Sequence, residues 1–253
     1  MVSSLVIGSE AAMIVDVNWQ SKGTRNLDKN HYLSGASLFD ECPGIQYYAN
    51  SRAAKEIQGE AAMKNTTMPM ACDFGFFALP GYRDSPVYRL NPLTGDIIRT
   101  LFWIPAIGTL IAADSVWGRD LHLWMADLLT RAVTESWLAT VEFISDLKPL
   151  TIVPGHTVSI ASFDGSQDFN HTYAYLKFWQ EQIESKGPDY FTPTEIFDKF
   201  DAAFPGLLTS NSRTLLNRLN ITAENFGRGG KREVHYQPLA TFNDSAILEG
   251  WLW

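Results

Sequence analysis

Thr100-Leu101-Phe102-Trp103-Ile104-Pro105 and, after two residues, Gly108-Thr109-Leu110-Ile111-Ala112-Ala113-Asp114-Ser115-Val116-Trp117 decide the fold. These are two apolar runs split by a Pro/Gly turn, the pattern of two adjacent buried strands. Asp114 stands where the second run stops being apolar, so it is expected at a strand end, on a sheet rim where sites are commonly built. About forty residues later, within the spacing of alternating strands and helices, Leu150-Thr151-Ile152-Val153 is a further apolar strand. Pro154-Gly155 is expected to break it and let His156 point off its end.

Between these strands Trp137, Leu138, Val141, Ile144 and Leu147 recur at helical spacing, and Pro149 stops the helix, which is expected to pack on the sheet. Working back towards the N-terminus, Leu5-Val6-Ile7 and Ala12-Met13-Ile14-Val15 flank Gly8-Ser9-Glu10-Ala11 and read as a hairpin. Pro43–Ala49 reads as a strand, and a helix follows from Ser51 to about Lys64.

Beyond Thr157 the pattern turns helical. Gly165-Ser166 opens a helix expected to bury Phe169, Tyr173, Leu176, Gln180 and Ile183, with Gly187-Pro188 ending it. Thr192-Pro193-Thr194-Glu195 is a helix start with a capping box, and Ile196, Phe197 and Phe200 are expected inward. Arg213–Leu219 fits a short helix, Gly227–Arg232 reads as a flexible basic loop, and Trp251-Leu252-Trp253 is apolar enough to seek the core or a second copy.

Strand-Ala113-Asp114, helix, strand-Pro154-Gly155-His156-Thr157 resembles the second half of the metallo-β-lactamase fold, in its hydrolase-like branch. The resemblance covers most of residues 3–160 and is strongest over Thr100–Thr157. It implies an α/β protein, an αββα sandwich with a shortened N-terminal half: 1–160 as the core, and 161–253 as a helical segment packed on it within one structural domain.

The resemblance also implies a site. In the family the equivalent of Asp114 bridges two metal ions, and that of His156 is a ligand. The family's loop His-x-His-x-Asp-His is similar to Asn26-Leu27-Asp28-Lys29-Asn30-His31 here. Asn26 stands for the first His, Asp28 for the second and Asn30 for the Asp, and His31 is kept. Imidazole and carboxylate suit Zn²⁺, whereas an amide oxygen is a poor ligand. Asp96 is the nearest substitute for a further His that precedes the Thr100 strand in relatives.

His31, Asp114 and His156 then make a mononuclear set, two His and one carboxylate, for one Zn²⁺ (or Fe or Mn) at most. Asp28 is a further ligand or a base that orients water. The alternative is an empty site. His122 and Trp117 are carried over as candidate substrate contacts near the pocket mouth.

Composition narrows the class. The chain has 253 residues, 45% hydrophobic, enough for a sizeable core. Its net charge is −8, from 20 basic and 28 acidic residues, which argues against nucleic acid or an anionic membrane as partner. Cys42 and Cys72 form no framework, and no leader or membrane-length apolar run is seen, so a cytoplasmic location is expected.

Three functions remain open. The first is a metal-dependent hydrolase of a small-molecule ester, lactone, thioester or amide. The second is a repurposed isomerase, lyase or oxygen-using enzyme on the same fold. The third is a binding protein without catalysis. A homo-oligomer is compatible with each.

Overall fold

The structure is a computed structural model. It describes residues 4–7, 12–15, 48–49, 77–78, 88–90, 101–125, 128, 130–160, 163–207, 223 and 225–230. The expectations for Asn26, Asp28, Asn30, His31, Asp96, the helix after Ser51, the 213–219 helix and the Trp251–Trp253 end lie outside the described residues.

The described strands make three groups. β1 (Ser4–Ile7) and β2 (Ala12–Val15) form the expected antiparallel hairpin. β3 (Tyr48–Ala49) pairs in parallel with β4 (Phe77–Ala78). The third is a four-stranded sheet in the order β5 (Tyr88–Leu90), β6 (Leu101–Ile104), β7 (Thr109–Trp117), β8 (Thr151–His156).

β6 and β7 are the two apolar runs that decide the fold. They pair antiparallel, with Phe102 opposite Ile111 and Ile104 opposite Thr109. A short 3₁₀ turn, Pro105–Ile107, joins them, and Gly108 closes it at φ 58°, where a side chain is disfavoured. Pro105 fits because the first residue of a helical turn needs no N–H partner.

β8 returns parallel to β7 after a crossover helix, α1 (Arg131–Asp146). Parallel strands need such a crossover, and apolar spacing supplies one face for it to bury. Trp137, Leu138, Val141 and Ile144 are buried as expected, and Thr134 and Thr140 join them. The Trp137 indole N–H donates to the Ser115 carbonyl of β7 at 2.9 Å. Lys148, at φ 51°, turns the chain off the helix just before Pro149.

Two expectations about the strand ends are corrected. β7 does not stop at Asp114 but runs on to Trp117, and β8 runs through Pro154-Gly155 to His156. The pairing is irregular instead of broken. From Ile111 to Trp117 β7 takes six steps where β8 takes three, from Val153 to His156. Ala113, at φ 45°, marks the bulge. Pro154 has no N–H to give to a ladder, and at a bulge none is required.

The C-terminal helices cover the α1 side. α2 (Gln167–Phe178) continues into a π turn, Trp179–Ile183, and a 3₁₀ turn, Glu184–Lys186. Its buried line is Asp168, Thr172, Tyr175, Leu176, Trp179 and Ile183. That line is rotated from the expected one: Phe169, Tyr173 and Gln180 are only half-buried. The reason is polar. Asp168 and Thr172 face inward because they satisfy backbone groups of the β7 end.

α3 (Pro193–Ala203) starts at the expected capping box, with the Glu195 N–H donating to Thr192 Oγ1 and the Thr192 N–H donating to Glu195 Oε2. Ile196 and Phe200 are buried, and Phe197 is half-buried. Gly227–Gly230 is not a free loop: the Arg228 N–H donates to the Phe191 carbonyl at 2.7 Å. One apolar cluster runs from Trp117 and Leu121 through Trp137 to Tyr175, Trp179, Phe200 and Phe226. A second, Leu101, Leu110, Ala112, Val116, Ile144 and Ile152, lies between α1 and the sheet.

Candidate functional site at the β7–β8 rim

The surplus residues in β7 bring its carboxylate over the neighbouring strand. The Asp114 side chain fills the space that a Cβ on Gly155 would occupy, so only glycine fits there. Asp114 Oδ1 lies 3.3 Å from His156 Nε2. Both residues are buried, at 9% and 8% exposure.

The His156 ring stacks on Trp117, with centroids 4.3 Å apart and planes 13° from parallel. Trp117 is itself fixed. Its indole N–H donates to the Asp114 carbonyl at 3.0 Å, and its backbone N–H donates to Thr172 Oγ1 of α2 at 3.0 Å. The Gly118 N–H donates to the His156 carbonyl at 2.7 Å. Chain and ring of His156 are therefore held by separate contacts.

The two candidates carried over as substrate contacts are placed inside the protein. Trp117 is 1% exposed beneath His156. His122 is 2% exposed, with Nδ1 3.0 Å from the Tyr175 hydroxyl. Burial, and then the nearby His171, lower the His122 pKa to about 4, so the ring is neutral at neutral pH. Burial also lowers His171, whose Nε2 is 2.9 Å from the Leu121 carbonyl and must donate to it. Burial pushes the Tyr175 phenol well above its ordinary value.

The structure brings Asp114 and His156 together. Asp28, His31, Asn26, Asn30 and Asp96 lie outside the described residues. Among the described residues no group of three or more His, Cys, Asp or Glu is placed to hold a metal. The two donors present do fit one. Ligands at about 2.1 Å from a tetrahedral zinc stand about 3.4 Å apart, close to the 3.3 Å between Oδ1 and Nε2.

Sequence reasoning missed Asp120 and its partners. The Asp120 carboxylate accepts from the Val158 N–H at 3.0 Å, the Ser159 N–H at 2.9 Å and the Thr157 hydroxyl at 3.2 Å. Asp168 of α2 was also missed; it accepts from the Arg119 N–H at 3.0 Å and from Arg119 Nη1 at 3.2 Å. Burial raises the Asp168 pKa, against the pull of Arg119. A charged pair directly after an apolar strand, Arg119-Asp120, was the available signal.

No family model matches the chain, and no curated protein matches it. Among solved structures it is similar to a metallo-beta-lactamase from Pontibacter korlensis, at 17% identity and a TM-score of 0.43, over 69% of this chain and 86% of that one. A likeness of that degree does not establish a family. Among the described residues no helix is long and apolar enough to cross a membrane.

Proposed function

We propose that the chain is a metallo-β-lactamase-fold, hydrolase-like enzyme that holds one metal ion with Asp114, His156 and His31. Its substrate class is a small-molecule ester, lactone, thioester or amide, and its setting is cytoplasmic. The observation that carries the reading is the 3.3 Å approach of Asp114 Oδ1 to His156 Nε2 across parallel strands. A buried imidazole and carboxylate at ligand-to-ligand distance, with the carboxylate set over a glycine, form a donor pair that needs a third ligand.

Bound there, a zinc ion would lower the pKa of its water towards ~7 and polarise a carbonyl. The chain's own residues supply the rest. Trp117 sets the plane of the His156 ring, Gly155 makes room for the Asp114 carboxylate, and Asp28 would orient the water. Elemental analysis of the purified protein tests this. About one zinc, iron or manganese per chain, lost in His156→Ala and in Asp114→Ala together with ester turnover, is expected. No metal after reconstitution with each ion in turn overturns it.

A further inference from the structure

The polar groups around the rim that the proposed reaction leaves unused converge on Asp120. This half-buried carboxylate gathers all three residues after His156. Two of its bonds come from backbone N–H groups and one from a hydroxyl. Such bonds to an ionised acceptor are roughly twice as strong as neutral ones.

Asp120 is itself anchored. On one side Arg119 is tied to Asp168 by its backbone and its guanidinium. On the other, the Leu121 N–H donates to the Gly118 carbonyl at 3.0 Å, and the Leu121 carbonyl accepts from His171. Gly118 has no room for a side chain, because Thr157 and Asp120 occupy that space. The turn after β7 is therefore bolted to α2 and holds the turn after β8.

We propose that Asp120 is a positioning residue for His156: by fixing Thr157, Val158 and Ser159 it sets the imidazole between Trp117 and Asp114. Its functional meaning rests on the reading of Asp114 and His156 as a metal-holding pair. Without the Asp120 carboxylate, the Val158 and Ser159 N–H groups lose their shared acceptor, and the chain beyond His156, whose own carbonyl stays on the Gly118 N–H, loses its tie to the turn after β7. The strand pairing before it and the apolar clusters under it are untouched.

The test reads the His156 ring in the metal-free, full-length chain by NMR. Stacking at 4.3 Å places the ring protons in the Trp117 ring current, which displaces their resonances. In Asp120→Ala this displacement is expected to collapse while the methyl signals of Leu101 and Ile152, in the cluster between α1 and the sheet, stay put. Asp120→Asn keeps one acceptor oxygen and should restore part of it. Thr157→Val removes the hydroxyl's contacts with Asp120 at 3.2 Å and with the Ser159 carbonyl at 2.9 Å, and should give a smaller change in the same direction. That variant also decides the case should Asp120→Ala fail to fold.

His156 ring signals unchanged in Asp120→Asn and Thr157→Val overturn the proposal. Zinc titration then reads the consequence: about 10–100-fold weaker binding in Asp120→Ala, the usual cost of losing a group that orients a ligand. A wild-type chain that takes up no zinc would remove the metal reading, while the ring signals would still decide the role of Asp120.

Discussion

His156 and His122 are both buried, both close to the β7 end, and opposite in chemistry. His156 faces a carboxylate at 3.3 Å and an indole face. His122 faces a phenol at 3.0 Å inside an aromatic cluster and is held neutral. A carboxylate partner favours a charged or metal-bound imidazole, whereas an apolar surround favours the neutral ring. Burial therefore does not decide what a histidine is for. The partner does.

The largest effect that separates the two regions is expected from Phe200→Ala. Phe200 is fully buried and stacks on Tyr175 with centroids 4.5 Å apart. Its truncation should cost about 3–5 kcal/mol, measured by urea denaturation. It should disturb the His122 side and leave the ring-current displacement of His156 in place. Loss of both together would mean the two regions form one cooperative unit.

Acidification comes next. The unfolded His122 imidazole titrates near its ordinary value of 6.5, the folded one at about 4. Between these values the unfolded chain binds more protons, so stability present above pH 6.5 falls as the pH drops, and the loss levels off below about 4. The loss from this group is about 3 kcal/mol at most. Because the raised Asp168 and Glu184 carboxyls act in the opposite direction, the wild-type curve should be compared with that of His122→Gln. Parallel curves would show that His122 is not held neutral.

Gly155→Ala should have the smallest effect on stability, about 1–3 kcal/mol as for an overpacked site. The new methyl would meet the Asp114 carboxylate and, at 2.6 and 2.7 Å, the backbone of Ala113 and Asp114, so the bulge must shift and the His156 contact should go with it. A crystal structure of this variant with the 3.3 Å approach intact would show that the glycine does not set the pair.

Several local elements among the described residues were legible in the sequence. The strand–turn–strand of Leu101–Trp117, the α1 face and the Thr192 capping box follow from local spacing and turn chemistry. Asp114 and His156 were put together by the resemblance carried by strand-Ala113-Asp114 and strand-Pro154-Gly155-His156, and not by the spacing of the strands. The buried face of α2 was not legible. Thr172 turns inward to meet Trp117, a partner 55 residues away, and no helical period encodes such a partner. The Asp120 contacts span 37 to 39 residues and were hidden for the same reason. The bulge at Ala113 was hidden because alanine gives no sign of φ 45°.

The uneven pairing of β7 and β8 has a further consequence. Six steps against three place Asp114 over Gly155, so the rim is specified by a difference in length and not by any one letter. Comparison that scores each position by residue type does not register such a quantity. Deleting a single residue between Ile111 and Trp117 would leave β8 and its glycine unchanged and still carry the carboxylate away from its imidazole.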